Sequence, residues 1–154
     1  ILINTNEAHR SIAEAVQEMW KKHLKISIGV RNEDWGVYLD SQRKLDYSVC
    51  RAAWQGDYLD PFTFLSMWKT GDGNNNTGWS NAKYDTLVTQ STVNPDLTAR
   101  FAQLNEAETL LMDELPVLPI FWRTHSYLIR PQVKDFKGSI SEHRSYKTIG
   151  VGVE

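Results

Sequence analysis

Cysteine is almost absent from this 154-residue chain: Cys50 stands alone. One thiol excludes an intramolecular disulfide framework and any zinc site built on cysteine pairs. The role expected for Cys50 is that of a small buried hydrophobe on a strand. Long apolar runs are lacking too. The longest, "VLPIFW" over residues 117–122, is far short of the roughly 20 residues that a membrane-crossing helix needs. No excess of one charge sign exists: 17 Lys and Arg against 19 Asp and Glu leave a net charge of −2. The basic residues are scattered, with no stripe of the kind a phosphate backbone requires, so nucleic acid is not an expected partner. There is no Walker loop, no G-x-G-x-x-G, no G-x-S-x-G and no H-E-x-x-H. His9, His23, His125 and His143 are too dispersed for local ligand spacing. The loop "DGNNNTG" has the alternating Asp72, Asn74 and Asn76 of a calcium loop, but Thr77 stands at its glycine position and Lys83 at its bidentate glutamate. Neither metal nor cofactor is expected.

What the chain does have is aromatic residues: six Trp, six Tyr and five Phe, several of them in loops or at strand ends. Its length suits one domain, able to bury roughly 70% of its unfolded surface. The pattern predicts a strand over residues 1–5 and a helix over 7–23, with Ile12, Val16, Met19 and Trp20 on one face. It then predicts a strand over 26–30, a helix over 35–44 and a strand through "DYSVCRAA". Asp60-Pro61 reads as a helix start, with Asp capping and Pro in the first turn. Residues 70–80, dense in Gly and Asn, read as a loop. Ser80 is expected to cap a helix carrying Tyr84, Leu87 and Val88 inward. Asn94-Pro95 is expected to open another, lined by Leu97, Phe101, Leu104, Leu111 and Leu115. Two extended segments, "VLPIFWR" and "HSYLIR", follow, and a last strand is expected near 148–153. Strands alternating with helices predict an α/β layer structure with a partly parallel sheet.

The stretch "CRAAWQGDYLDPFTF", residues 50–64, concentrates the chemistry. Strand alternation puts Tyr47, Val49 and Arg51 on one face, so Arg51 emerges at the strand end on an otherwise apolar surface. Asp60 has a sufficient task as a cap, whereas Asp57, after Gly56, has none. Arg51 and Asp57, of opposite sign, flank Trp54 on one short loop. One reading is a structural salt bridge, worth little if exposed. Another is a pocket that neutralises both poles of a zwitterion while Trp54 packs against what lies between them. A third uses Asp57 and Asp60 as an acid/base pair of a carbohydrate-active enzyme. Trp35 adds a second aromatic, whose plainest role is packing.

"CRAAWQGDYLDPFTFL" resembles the signature segment of the oligopeptide-binding proteins, the peptide-binding class of ABC-transporter solute-binding proteins. The resemblance continues through "NTNEAHRSIAEAVQEMWKKHLKISIGVRNEDWGVYLDSQR", "NNNTGWSNAKYDTLV" and "AETLLMDELPVLPIFW". It implies an α/β fold of the type II-like, two-lobed periplasmic binding proteins, with this chain as a C-terminal lobe portion, a mixed sheet flanked by helices. Residues 1–123 would be the peptide-contacting part of that lobe, and residues 124–154 a tail returning towards the first lobe. It also implies a binding protein and not an enzyme. Asp57 then matches the aspartate that holds a peptide's terminal ammonium. Trp54 and Trp35 match aromatic pocket walls, Arg51 and His9 match residues that neutralise the peptide's C-terminus or neighbouring charge, and Gln55 matches a pocket-wall position. Two positions depart from the pattern: Gln42, with Arg43 adjacent, replaces an expected arginine, and Arg123 replaces an expected tyrosine.

The implied ligand is a short peptide, delivered to a membrane ABC permease from a periplasmic or other extracytoplasmic location, with or without a lipid anchor. Murein peptide, dipeptide, a nickel chelate and haem are the alternative ligands among relatives of this kind. The chain opens "ILINTNEAHR", without initiator Met or basic-then-apolar leader, and the resemblance places any signal segment elsewhere. The further partner it implies is a missing N-terminal lobe, or self-association in its place. A generic peptide binder must hold the termini and backbone that all peptides share and leave side chains in large, wet pockets. Closure of two lobes about a hinge would then sequester the ligand.

Overall fold

A computed structural model describes residues 1–138 and 146–152. His143 and position 153, the end of the last expected strand, lie outside the described residues. The chain divides into two compact units: Ile1–Trp54 with Gly71–Ser80, and Gln55–Thr70 with Asn81–Glu154.

The first unit is built on short parallel strands. β1 (Leu2–Asn4) leads into α1 (Glu7–Leu24), which returns the chain to β2 (Arg31–Glu33), and α2 (Trp35–Arg43) follows at once. β1 and β2 pair in parallel, Leu2 opposite Arg31 and Asn4 opposite Glu33. On the other side of β1, Leu2 bridges Cys50 in parallel, through Leu2 N–H to the Val49 carbonyl and Arg51 N–H to the Leu2 carbonyl. α1 starts where Asn6 turns its side chain to accept from the His9 amide at 3.2 Å, and it ends at Lys25 in the left-handed region (φ 59°). Leu2, Ile3, Ala13 and Tyr38 are the buried apolar residues of this unit. Only Ala13 of α1 is fully buried, and Met19 lies exposed, so the face predicted for this helix is shallower than its spacing suggests.

Two predicted strands contract. Residues 26–30 form no ladder, because β1 offers Leu2–Asn4 as partners and these take Arg31–Glu33. The segment through "DYSVCRAA" keeps one bridge, at Cys50. Residues 71–80 are the predicted loop, tied down by the Tyr47 hydroxyl donating to the Asn76 carbonyl.

The second unit is mostly helical. α3 (Phe62–Leu65) passes into a 3-10 turn at Ser66–Trp68, and α4 (Ala82–Ser91) packs on α5 (Leu97–Glu114). Leu65, Met67, Tyr84, Val88, Leu104, Ala107 and Leu111 form its core. The Tyr84 hydroxyl donates to the Leu65 carbonyl at 2.6 Å, and burial pushes its pKa up. Asn81, not Ser80, caps α4, accepting from the Lys83 and Tyr84 amides. Asp96, not Asn94, caps α5, while Asn94 accepts from the Asp96 amide. On α5, Leu104 and Leu111 face inward as predicted, but Leu97, Phe101 and Leu115 are exposed, since packing covers only the middle of the helix. Beyond α5 the two predicted extended segments carry no strand assignment. β3 (Val133–Lys134) pairs antiparallel with β4 (Gly150–Val151), within the last predicted strand. Among the described residues no helix is long and apolar enough to cross a membrane.

Candidate functional site

In parallel α/β sheets, ligands are met at the carboxyl ends of the strands, where the loops and helix starts gather. Three parallel segments define such an edge in the first unit, ending at Asn4, at Glu33 and just past Cys50. Every candidate residue of this unit follows one of those ends. His9 lies on the first turn of α1, after β1. Trp35 is the first residue of α2, after β2. Arg51 and Trp54 follow the Cys50 bridge.

Trp35 and Arg51 are linked through a residue that sequence reasoning passed over. The Trp35 ring stacks on Tyr38, with centroids 5.5 Å apart and planes at 20°. The Tyr38 hydroxyl donates to the carbonyl of Arg51. Tyr38 is 2% exposed, and burial, with Cys50 at its hydroxyl, raises its pKa. Gln42 donates to the Cys50 sulfur at 3.3 Å, and burial pushes the Cys50 thiol up, so it stays protonated. Cys50 is thus half-buried at the end of a bridge and packs into this small polar group rather than into a purely apolar core. Gln42, where an arginine was expected, supports the strand end. Trp54 is exposed, Arg51 and His9 half-buried.

Asn4 and Glu33 were also missed. They face each other across the parallel pair, and each carries a buried side-chain oxygen without a hydrogen-bond partner among the described residues. The other Glu33 oxygen meets Arg31 Nε at 3.2 Å. The available signal was position: a polar residue at each strand's last place.

Gln55 and Asp57 belong to the second unit and are both exposed. The loop carrying them folds back on α3. The Asp57 amide donates to Thr63 Oγ1 at 3.1 Å, and that hydroxyl lies 3.5 Å from Asp57 Oδ2. Thr63 itself is buried. Gly56 passes so close to α3 that a Cβ there would stand 2.8 Å from Phe64 Cζ. Asp60 accepts from the Phe62 amide at 2.9 Å, although the cap position of α3 falls on Pro61 and not on Asp60 as predicted. It also receives both terminal nitrogens of Arg100, each at 2.8 Å. Arg100 beside it holds the Asp60 carboxyl below the usual carboxylate range. No group of three or more His, Cys, Asp or Glu is arranged to hold a metal among the described residues.

Aromatic and charged residues that follow the carboxyl ends of parallel strands stand where α/β proteins meet their ligands. Residues 1–76 match the family model of bacterial extracellular solute-binding proteins, family 5 (middle). The oligopeptide-binding protein OppA of Bacillus subtilis is 41% identical over 138 residues, 89% of this chain and 25% of that protein. The periplasmic murein peptide-binding protein MppA of Escherichia coli is 36% identical, over 95% of this chain and 27% of its own length. The crystal structure of Haemophilus influenzae OppA in complex with RPPGFSPFR superposes with a TM-score of 0.82 at 31% identity, covering 97% of this chain and 30% of that one. The chain belongs to this family of solute-binding proteins. It spans about a quarter of the length of the curated relatives it matches.

Proposed function

We propose that this chain is the peptide-contacting segment of an extracytoplasmic solute-binding protein that captures short peptides for an ABC importer. Residues 1–123 supply the ligand-contacting part of one lobe, and residues 124–154 the return towards the other. Asp57 takes the peptide's ammonium, Arg51 and His9 neutralise negative charge, and Trp35, Trp54 and Gln55 wall the side-chain pockets.

The observation that carries this reading is the common strand edge from which His9, Trp35, Arg51 and Trp54 follow. Relatives whose names specify oligopeptide and murein peptide support the ligand class. Against the enzyme reading stands the engagement of Asp60 by Arg100 and by the start of α3. A depressed pKa also makes it a poor general acid.

Calorimetry on a full-length protein carrying this chain tests the proposal. Asp57→Ala is expected to weaken binding by about 2–5 kcal/mol, the usual cost of removing one partner of a desolvated charge pair. N-acetylated peptides are expected to bind wild type poorly for the same reason. Equal affinity for free and acetylated peptides would remove Asp57 from the site. A panel that includes murein peptides decides between the two ligand classes named by the relatives.

A further inference from the structure

The loop that bears Asp57 is tethered at both ends of its turn. On its near side Thr63, buried on α3, receives the Asp57 amide. On its far side Asp60 meets the α3 start and the Arg100 guanidinium together. Arg100 is in turn anchored: its Nε donates to the carbonyl of Ser91, the buried last residue of α4, at 3.0 Å. One arginine on the first turn of α5 therefore ties the end of α4, its own helix and the Asp57 loop into one piece. The pair is only 16% and 27% exposed at its side chains, and its two parallel contacts fix direction as well as distance. Gly56 completes the arrangement, since the loop approaches Phe64 and Thr63 too closely for a side chain.

We propose that Asp60 and Arg100 are positioning residues for ligand binding, a clamp that holds the Asp57 carboxylate where an ammonium can meet it. The proposal rests on the ammonium role of Asp57 given above. A charged hydrogen bond is strong only when its acceptor is held in place before the ligand arrives, because ordering a loose loop subtracts from affinity. Neither clamp residue touches the ligand. Their effect passes through residues 56–63, the short return from the loop to α3.

Asp60→Asn separates the two tasks of Asp60. Its amide oxygen still accepts from Phe62, while the ion pair is lost. In the 154-residue chain, hydrogen exchange at the Asp57 amide is expected to quicken at least about tenfold, with the α4 and α5 amides unchanged. Arg100→Lys, which keeps charge but not the fork, should fall between wild type and Arg100→Met. In a full-length protein carrying the chain, the preference for free over acetylated peptide should shrink about fivefold or more in Asp60→Asn, with affinity for the acetylated peptide unchanged. A folded Asp60→Asn with wild-type exchange at Asp57 and an undiminished preference would overturn the clamp. Quickened exchange in a protein whose wild type ignores acetylation would uphold the clamp and overturn the ammonium reading instead.

Discussion

Tyr38 shows how a single side chain joins packing to the site. Its ring is buried under Trp35, and its hydroxyl satisfies the carbonyl of Arg51 at the strand end. Tyr38→Phe keeps the ring but strands that carbonyl, at a cost of about 1–3 kcal/mol. Urea denaturation is expected to show this loss together with that of the Cys50 Sγ contact to the same hydroxyl. Trp35 and Trp54 differ in the same terms. Trp35 has a ring partner in Tyr38, so Trp35→Ala is expected to lower stability by about 1 kcal/mol beyond the area it uncovers. Trp54 is 40% exposed on the loop beyond the bridge, and Trp54→Ala is expected to lower stability through the apolar area it uncovers. Both substitutions should reorder side-chain preference across a peptide panel while the demand for a free N-terminus persists. An unaltered rank order in both variants would make the two rings packing residues only.

At the scale of elements, α3 and α5 are coupled through a titrating pair. Arg100 holds the Asp60 carboxyl low, so the folded pKa lies below the unfolded value of about 3.9. A depressed acid contributes stability that is complete above the unfolded value and lost as pH falls through the folded one. Wild type is therefore expected to lose more stability than Asp60→Asn below about pH 4, the two curves converging in acid. Urea midpoints between pH 6 and pH 2 check this, and parallel curves would assign the acid sensitivity to other carboxylates. The period of the apolar residues made α1, α4 and α5 legible, and the caps expected at Ser80 and Asn94 fell within two residues of the observed Asn81 and Asp96. The choice between Ser80 and Asn81, or Asn94 and Asp96, depends on where the backbone leaves the extended region, which composition does not specify. The strand at 26–30 was misplaced because alternation marks a half-buried strand without naming its partner, and the three residues of β1 fix where β2 lies. Arg51, Trp54 and Asp57 were legible as candidates from charge and an aromatic ring beyond a strand, whereas His9 and Gln55 entered through the resemblance alone. Arg100, 40 positions from Asp60, left no local trace.

For the whole molecule the open question is what a segment of this length accomplishes by itself. Residues 121–130 are exposed throughout, Phe121, Trp122, Leu128 and Ile129 among them, and no strand is assigned there. Asp57, Gln55 and Trp54 likewise face solvent. An ion pair formed in water is worth about 0–1 kcal/mol, against several for one that a closing lobe desolvates. A peptide held only at one end also leaves its backbone and far terminus to water. The isolated 154-residue chain is therefore expected to bind a given peptide at least a thousandfold more weakly than a full-length protein carrying it, a difference of about 4 kcal/mol. Titrating both with one peptide, at the same salt and pH, measures that difference directly. Comparable affinities would mean that the contacts made by this chain suffice, and that residues 1–154 form a complete binding module rather than part of a lobe.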